Sequence, residues 1–195
     1  DNLAHYEHVS LADENAVLAA LSGLSRHARI DQVECLWEPY VVLAARIREH
    51  LGLPGMSVEQ ATWFRDKEQM KQVLDAAGIR TPRHASASTA AEIWEAAEQI
   101  GYPVFVKPCR GGSSIGISRV TSREGLDEAI EEARRWDPKV VVEQGAGEGA
   151  REVECGVLES LEDAPPEASV PAEIVVDAEH AFYDFEAKYL PEQGT

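Results

Sequence analysis

The 195-residue chain is short of positive charge: 18 lysines and arginines stand against 35 aspartates and glutamates, a formal net charge of −17. Nucleic acid and anionic membrane surfaces both demand a basic face that displaces counterions, so neither is expected as a partner. Cysteine is scarce as well. Cys35, Cys109 and Cys155 are odd in number, scattered and without metal-ligand spacing, which argues against a disulfide framework and for reduced thiols. No two of the six histidines stand at i and i+4, and no zinc site is expected. No apolar run is long enough to span a bilayer, and no signal-peptide pattern is present. The expected compartment is the cytoplasm and the expected partner is small. A phosphate-binding role in so acidic a chain would need its few cations gathered locally, which singles out Lys67, Lys71, Lys107, Arg110 and Lys188.

What is present is a run of well-marked elements. Residues 13–24 space apolar side chains at Val17, Leu18, Leu21 and Leu24 as a helix does. VECLW, 33–37, reads as a buried strand, and the following VVLAARIREHLG as a helix closed by Gly52. Strand then helix suggests half of a parallel α/β layer, so that the chain is expected to start within a domain. Ser57 with Gln60, Asp66 with Gln69, and Thr89 with Glu92 have capping-box spacing and open three helices; Ser122 opens a fourth. KVVVEQ, EVECGVLES, AEIVV and FYDFEAKYL read as strands separated by Gly, Pro or acidic turns, and the glycines of 145–150 as a loop. The second half is therefore expected to be an antiparallel sheet with helices on one face.

Between the third and fourth helices lies PVFVKPCRGGSSIGISRV, in which a strand ends on Lys107 and passes into Gly111, Gly112, Ser113, Ser114 and Gly116. This is neither a P-loop nor G-x-G-x-x-G, because the lysine precedes the glycines. Successive backbone amides in such a turn make an anion site. An ordinary hairpin with a surface lysine fits the glycines equally well.

The blocks PVFVKPCRGGSSIGISRVTSREGLDEAIEEA, VVVEQ, REVECGVL and FYDFEAKYL, in that order, resemble the central part of the D-alanine-D-alanine ligases of the ATP-grasp superfamily. The preceding RDKEQMKQVLDAAGIRTP and WEPYVVLAARIREHLGLPG are similar to broader ATP-grasp carboxylate-amine ligases. The resemblance implies a partial ATP-grasp fold of α+β subdomains. Residues 1–56 would be part of a preceding parallel α/β domain, 57–100 the helices leading in, and 101–195 the nucleotide-binding region.

It also implies a site for ATP. Lys107 would touch the nucleotide from the end of its strand, and Lys67 would reach the phosphates from a helix's first turn. Glu143 would meet the adenine amino group beside the backbone of Gln144 and Ala146, and Glu152 would bind ribose. Ser113 and Ser114 would cover the phosphates, with Lys188 and Tyr189 in a loop that closes over ATP and substrate. A bond between the Ser113 and Tyr189 hydroxyls would exclude water from an acyl phosphate. Other roles fit the same residues: stems covering apolar surface for the lysines, solvated or cross-strand glutamates for Glu143 and Glu152, and a core position in register with Phe185 for Tyr189. Cys109 stands where the family usually has a small residue and is read as packing, and Gly145 where it often has a bulky one. The implied activity is ATP-dependent joining of amino-acid substrates. The Mg²⁺ ligands and the arginine near the reacting carbonyl are expected beyond Thr195, which favours a fragment over a degenerate, non-catalytic nucleotide-binding relative. A homodimer is compatible with these features.

Overall fold

A computed structural model of the chain describes residues 4–147, 149–158, 164–176 and 182–190. Two compact units divide it, one of residues 1–81 with Cys109–Gly112, the other of 82–108 with 113–195.

The described residues of the first unit form helices: α1 Glu14–Leu24, α2 Val41–Leu51, α3 Val58–Arg65 and α4 Lys67–Ala76. Local chemistry sets their ends. Asp13 accepts from Ala16 N ahead of α1, and Gly52, at φ 66°, closes α2 in the left-handed conformation that glycine adopts without penalty. Ser57 and Gln60 form a reciprocal capping box on α3, while the Asp66 side chain accepts from Glu68 N and Gln69 N of α4. The Arg46 guanidinium joins α2 to α1 by reaching both oxygens of Glu14, at 2.8 and 2.7 Å. Val17, Ala44, Ala45 and Ala61 are buried.

The strand expected at 33–37 does not form. Leu36 is 102% exposed, and the Val33 carbonyl accepts from Arg48 Nε and Nη2 at 3.1 and 2.9 Å. A strand needs a partner for its backbone groups, and the described residues of this unit contain no other strand. An arginine side chain takes up the free carbonyl instead.

The second unit is built on a four-stranded antiparallel sheet of β1 His84–Ala87, β2 Val104–Pro108, β3 Ser118–Val120 and β4 Val140–Gln144, in the order β1-β4-β2-β3. Two helices, α5 Ala90–Ile100 and α6 Leu126–Trp136, pack on it. Thr89 and Glu92 make the expected capping box at α5. α6 begins later than Ser122 foretells, because a 3₁₀ turn over Arg123–Gly125 intervenes. Ile93, Ala97 and Ile100 of α5 and Leu126, Ala129, Ile130 and Ala133 of α6 meet Val104, Val106, Val120, Val140 and Val142 in one apolar core. Alanines on the helices let them lie close to the sheet, and β-branched valines suit its pleat.

Beyond the sheet, EVECGVLES is not one strand. β5 Glu152–Glu154 pairs with β8 Ala172–Ile174, β6 Val157–Leu158 pairs with β7 Glu167–Ala168, and Cys155 and Gly156 separate β5 from β6. Glu159 and Ser160 lie outside the described residues, as do Glu148 in the glycine loop and 191–195 after Leu190.

FYDFEAKYL is a helix where strand alternation was expected: α7 spans Phe185–Tyr189. Asp184 caps it by accepting from Ala187 N at 2.9 Å, and the Phe185 and Tyr189 rings meet one turn apart, with centroids 5.0 Å from each other. An N-cap aspartate outweighs the β propensity of the aromatics.

Ile93 is wholly buried between α5 and the sheet, so Ile93→Ala removes a side chain and leaves a cavity. A loss of about 3 kcal/mol is expected, read as a lower urea midpoint at unchanged slope.

Candidate nucleotide site

Strand alternation places the site. In β2, Val104, Val106 and Pro108 are buried on the helix side, and Phe105 and Lys107 therefore point to the opposite face. β4 runs antiparallel with Phe105 opposite Glu143 and Lys107 opposite Val141, so Glu143 shares that face. Lys107 Nζ donates to Glu143 Oε1 at 2.8 Å, with both side chains mostly shielded from solvent. The ammonium also lies 5.3 Å from the Phe105 ring centroid, and Phe182 meets that ring edge-on at 5.3 Å.

This face opens into a cleft of about 410 Å³, within the range of small-ligand sites. Lys107, Ser114, Glu143, Gln144, Ala146, Glu152 and Lys188 all border it, together with Phe105, Phe182 and Tyr183. Gln144 and Gly145 keep the β4 edge in place through backbone bonds, Gln144 N to Arg83 O and Gly145 N to Pro103 O, both 2.8 Å. A β-carbon at Gly145 would stand 3.0 Å from Pro103 O, which explains glycine at that point. Glu152 opens β5 and is exposed at the rim.

The glycine–serine loop joins β2 to β3. Ser113 and Ser114 both adopt left-handed backbones, φ 53° and 59°, a conformation that costs a non-glycine residue on the order of 1–2 kcal/mol. Hydrogen bonds within the unit offset it. Ser113 Oγ and Tyr189 OH are 3.0 Å apart across 76 residues of sequence, Ser114 Oγ donates to Tyr183 O at 3.0 Å, and Lys188 Nζ donates to Ser114 Oγ at 2.8 Å. Lys188 Nζ also stands 4.9 Å from the Tyr183 ring centroid. Tyr189 is 55% exposed, which is not the burial of a core tyrosine.

Lys67 belongs to the first unit. It starts α4, and its Nζ donates to Gly111 O at 2.6 Å while its backbone N donates to Cys109 O at 3.0 Å. Cys109 is buried and does more than pack: its thiol donates to Asp66 Oδ1 at 3.2 Å, the same oxygen that caps α4. Sequence reasoning passed over Asp66–Cys109, since nothing local ties residues that far apart. Phe105 was within reach of it, because stepping back two residues from Lys107 along a strand stays on one face. Phe182 and Tyr183 were hidden by the misread period of their segment.

An antiparallel four-stranded sheet with helices on one face and a glycine–serine turn beside a cleft on the other is compatible with an ATP-grasp fold, and solved structures of that fold match it. An L-amino acid ligase from Bacillus licheniformis superposes with TM-score 0.67 at 25% identity, over 83% of this chain and 36% of its own. The VanG D-Ala:D-Ser ligase from Enterococcus faecalis does so with TM-score 0.64 at 30% identity, over 78% and 44%. The chain belongs to the D-ala D-ala ligase C-terminus family, whose model matches residues 70–195. Among curated relatives, a D-alanine--D-alanine ligase of Streptomyces coelicolor is 48% identical over 151 residues, 71% of this chain and 38% of the relative. One of Kineococcus radiotolerans is 52% identical over 133 residues, 64% and 34%. The chain thus spans less than two fifths of the length of these two relatives. No helix among the described residues is long and apolar enough to cross a membrane.

Because one Asp66 oxygen serves both the α4 cap and the Cys109 thiol, Asp66→Ala is expected to cost about 2 kcal/mol, the upper end for a lost cap. Thermal unfolding should show the loss, and Asp66→Asn, which keeps an acceptor oxygen, should recover most of it.

Proposed function

We propose that this chain supplies the nucleotide-binding part of an ATP-dependent, ADP-forming carboxylate-amine ligase that joins two molecules of D-alanine, a dipeptide used in cell-wall synthesis. The observation that carries the reading is the pair of contacts Ser113–Tyr189 and Ser114–Lys188. They draw the serine turn and α7 together beside a cleft that already holds the Lys107–Glu143 pair. The names of the curated relatives support D-alanine as substrate.

In this reading the Glu143 carboxylate accepts from the adenine amino group, the backbone of Gln144 and Ala146 lines the base, and Glu152 accepts from ribose hydroxyls. Lys107, Lys188 and Lys67 offset phosphate charge, which in a chain of net charge −17 falls to few side chains. The serine turn and Tyr189 keep water from the phosphorylated carboxyl of the first amino acid until the second amine attacks its carbon and expels phosphate. Mg²⁺ supplies charge neutralisation at the transferring group when bound. Among the described residues no group of three or more His, Cys, Asp or Glu side chains could hold a metal. Residues 1–56 are assigned to the domain preceding the ATP-grasp region, 57–100 to the lead-in and 101–195 to the nucleotide-binding region. A homodimer working in the cytoplasm completes the proposal.

The reading is tested by incubating the full protein with ATP, Mg²⁺ and a panel of D- and L-amino acids. Phosphate release and dipeptide formation with D-alanine support it, and turnover only with other amino acids overturns the substrate. Lys107→Ala removes a charge-assisted contact worth about 1.5–3 kcal/mol and is expected to weaken ATP binding at least about tenfold by calorimetry. Unchanged affinity would reduce the turn to an ordinary hairpin.

Tyr189→Phe is expected to leave ATP affinity intact and to raise ATP hydrolysis relative to dipeptide formation. Ser113→Ala should do the same. The double substitution should be no worse than either alone, since the two share one hydrogen bond. Additive losses in that cycle would separate Tyr189 from Ser113.

A further inference from the structure

The serine turn is strained, and among the described residues the bonds of its side chains reach Tyr183, Lys188 and Tyr189. Its far end meets a different support. Gly116 sits at φ 69°, and a β-carbon added there would stand 2.5 Å from Trp136 Cδ1, 3.2 Å from Trp136 Cγ and 2.9 Å from Pro108 Cγ. The loop backbone therefore lies directly on the indole, with no room between them for even a methyl group.

Trp136 ends α6, outside the site described above, and is 57% exposed. So exposed an indole contributes little core burial. Its orientation is nonetheless held, because Nε1 donates to Glu132 Oε1 at 3.0 Å one helical turn earlier. The ring also borders a shallow, open hollow of about 420 Å³ that Ser114, Ile115 and Gly116 of the loop and Asp184, Phe185 and Glu186 at the start of α7 line with it. One side chain thus touches the loop and lines the same hollow as the helix that carries Lys188 and Tyr189.

We infer that Trp136 is a positioning residue for the serine turn: its indole is the platform on which Gly116 rests, and it fixes the end of the loop so that Ser113 and Ser114 keep their left-handed backbones facing α7. The role in turnover rests on the proposed ligase activity; the role in holding the loop does not.

The test has two readouts on the full chain, amide hydrogen exchange across residues 113–117 and steady-state turnover. Trp136→Ala is expected to accelerate exchange there about tenfold, as loss of local protection does. It should also lower kcat for dipeptide formation about tenfold while ATP Kd stays within about threefold, the pattern of a group that acts in the reacting complex. Trp136→Phe retains a ring under Gly116 and should restore both to within about twofold of wild type, which also covers the case of a Trp136→Ala that fails to fold. Gly116→Ala presses a methyl against both the indole and Pro108 Cγ at a left-handed φ that strains alanine, and should accelerate exchange as well; combined with Trp136→Ala only the part owed to the indole is relieved, so the two effects should sum to less than additive. Unchanged exchange in a folded Trp136→Ala, or full additivity in the cycle, overturns the inference whatever the activity. Faster exchange in a protein whose wild type makes no dipeptide sustains the platform and overturns the ligase reading instead.

Discussion

The antiparallel pairing of Val104–Pro108 with Val140–Gln144 is the constraint on which the second unit depends. A strand cannot place two successive side chains on one face. Once Val104, Val106, Val140 and Val142 are committed to the helices, Phe105, Lys107, Val141 and Glu143 have no alternative but the other side. The core and the site are thus one choice made once. The ion pair between Lys107 and Glu143 follows from register alone, since a one-residue slip would turn either group into the apolar layer.

The same economy governs charge. An acidic chain gains nothing from a diffuse cation, so its lysines are held by specific acceptors: Lys107 by Glu143, Lys188 by Ser114, Lys67 by the carbonyl of Gly111. Each acceptor restricts the rotamers of a long side chain.

Much of this was legible in the sequence because it is local. The Ser57–Gln60 and Thr89–Glu92 caps and the closing glycines form within a few residues of one another, and the block order around Lys107 carried the family and the polar residues Lys107, Ser114, Glu143, Gln144, Glu152 and Lys188 of the cleft's border. Most of what escaped was decided by distant partners. Nothing within 33–37 announces that Arg48 will take the carbonyl a neighbouring strand would have used. FYDFEAKYL read as a strand with Tyr189 in register with Phe185, and one capping carboxylate at Asp184 settled the matter otherwise. β1, His84–Ala87, is short, small and half polar, and becomes a strand because the edge of β4 is free to pair. Nothing in the sequence around Trp136 announces that Gly116 will approach its indole.

The two left-handed serines make one demand that hydrogen-bond chemistry by itself would miss. Their hydroxyls are used, by Tyr189 on one side and by Tyr183 and Lys188 on the other, and their φ angles are positive. Glycine would accept the backbone and lose the hydroxyl. Threonine would keep the hydroxyl, but its β-branch crowds a backbone turned that way. At these two positions the usual interchange of serine with threonine is closed, and the smallest alcohol among the side chains is the one that meets both requirements.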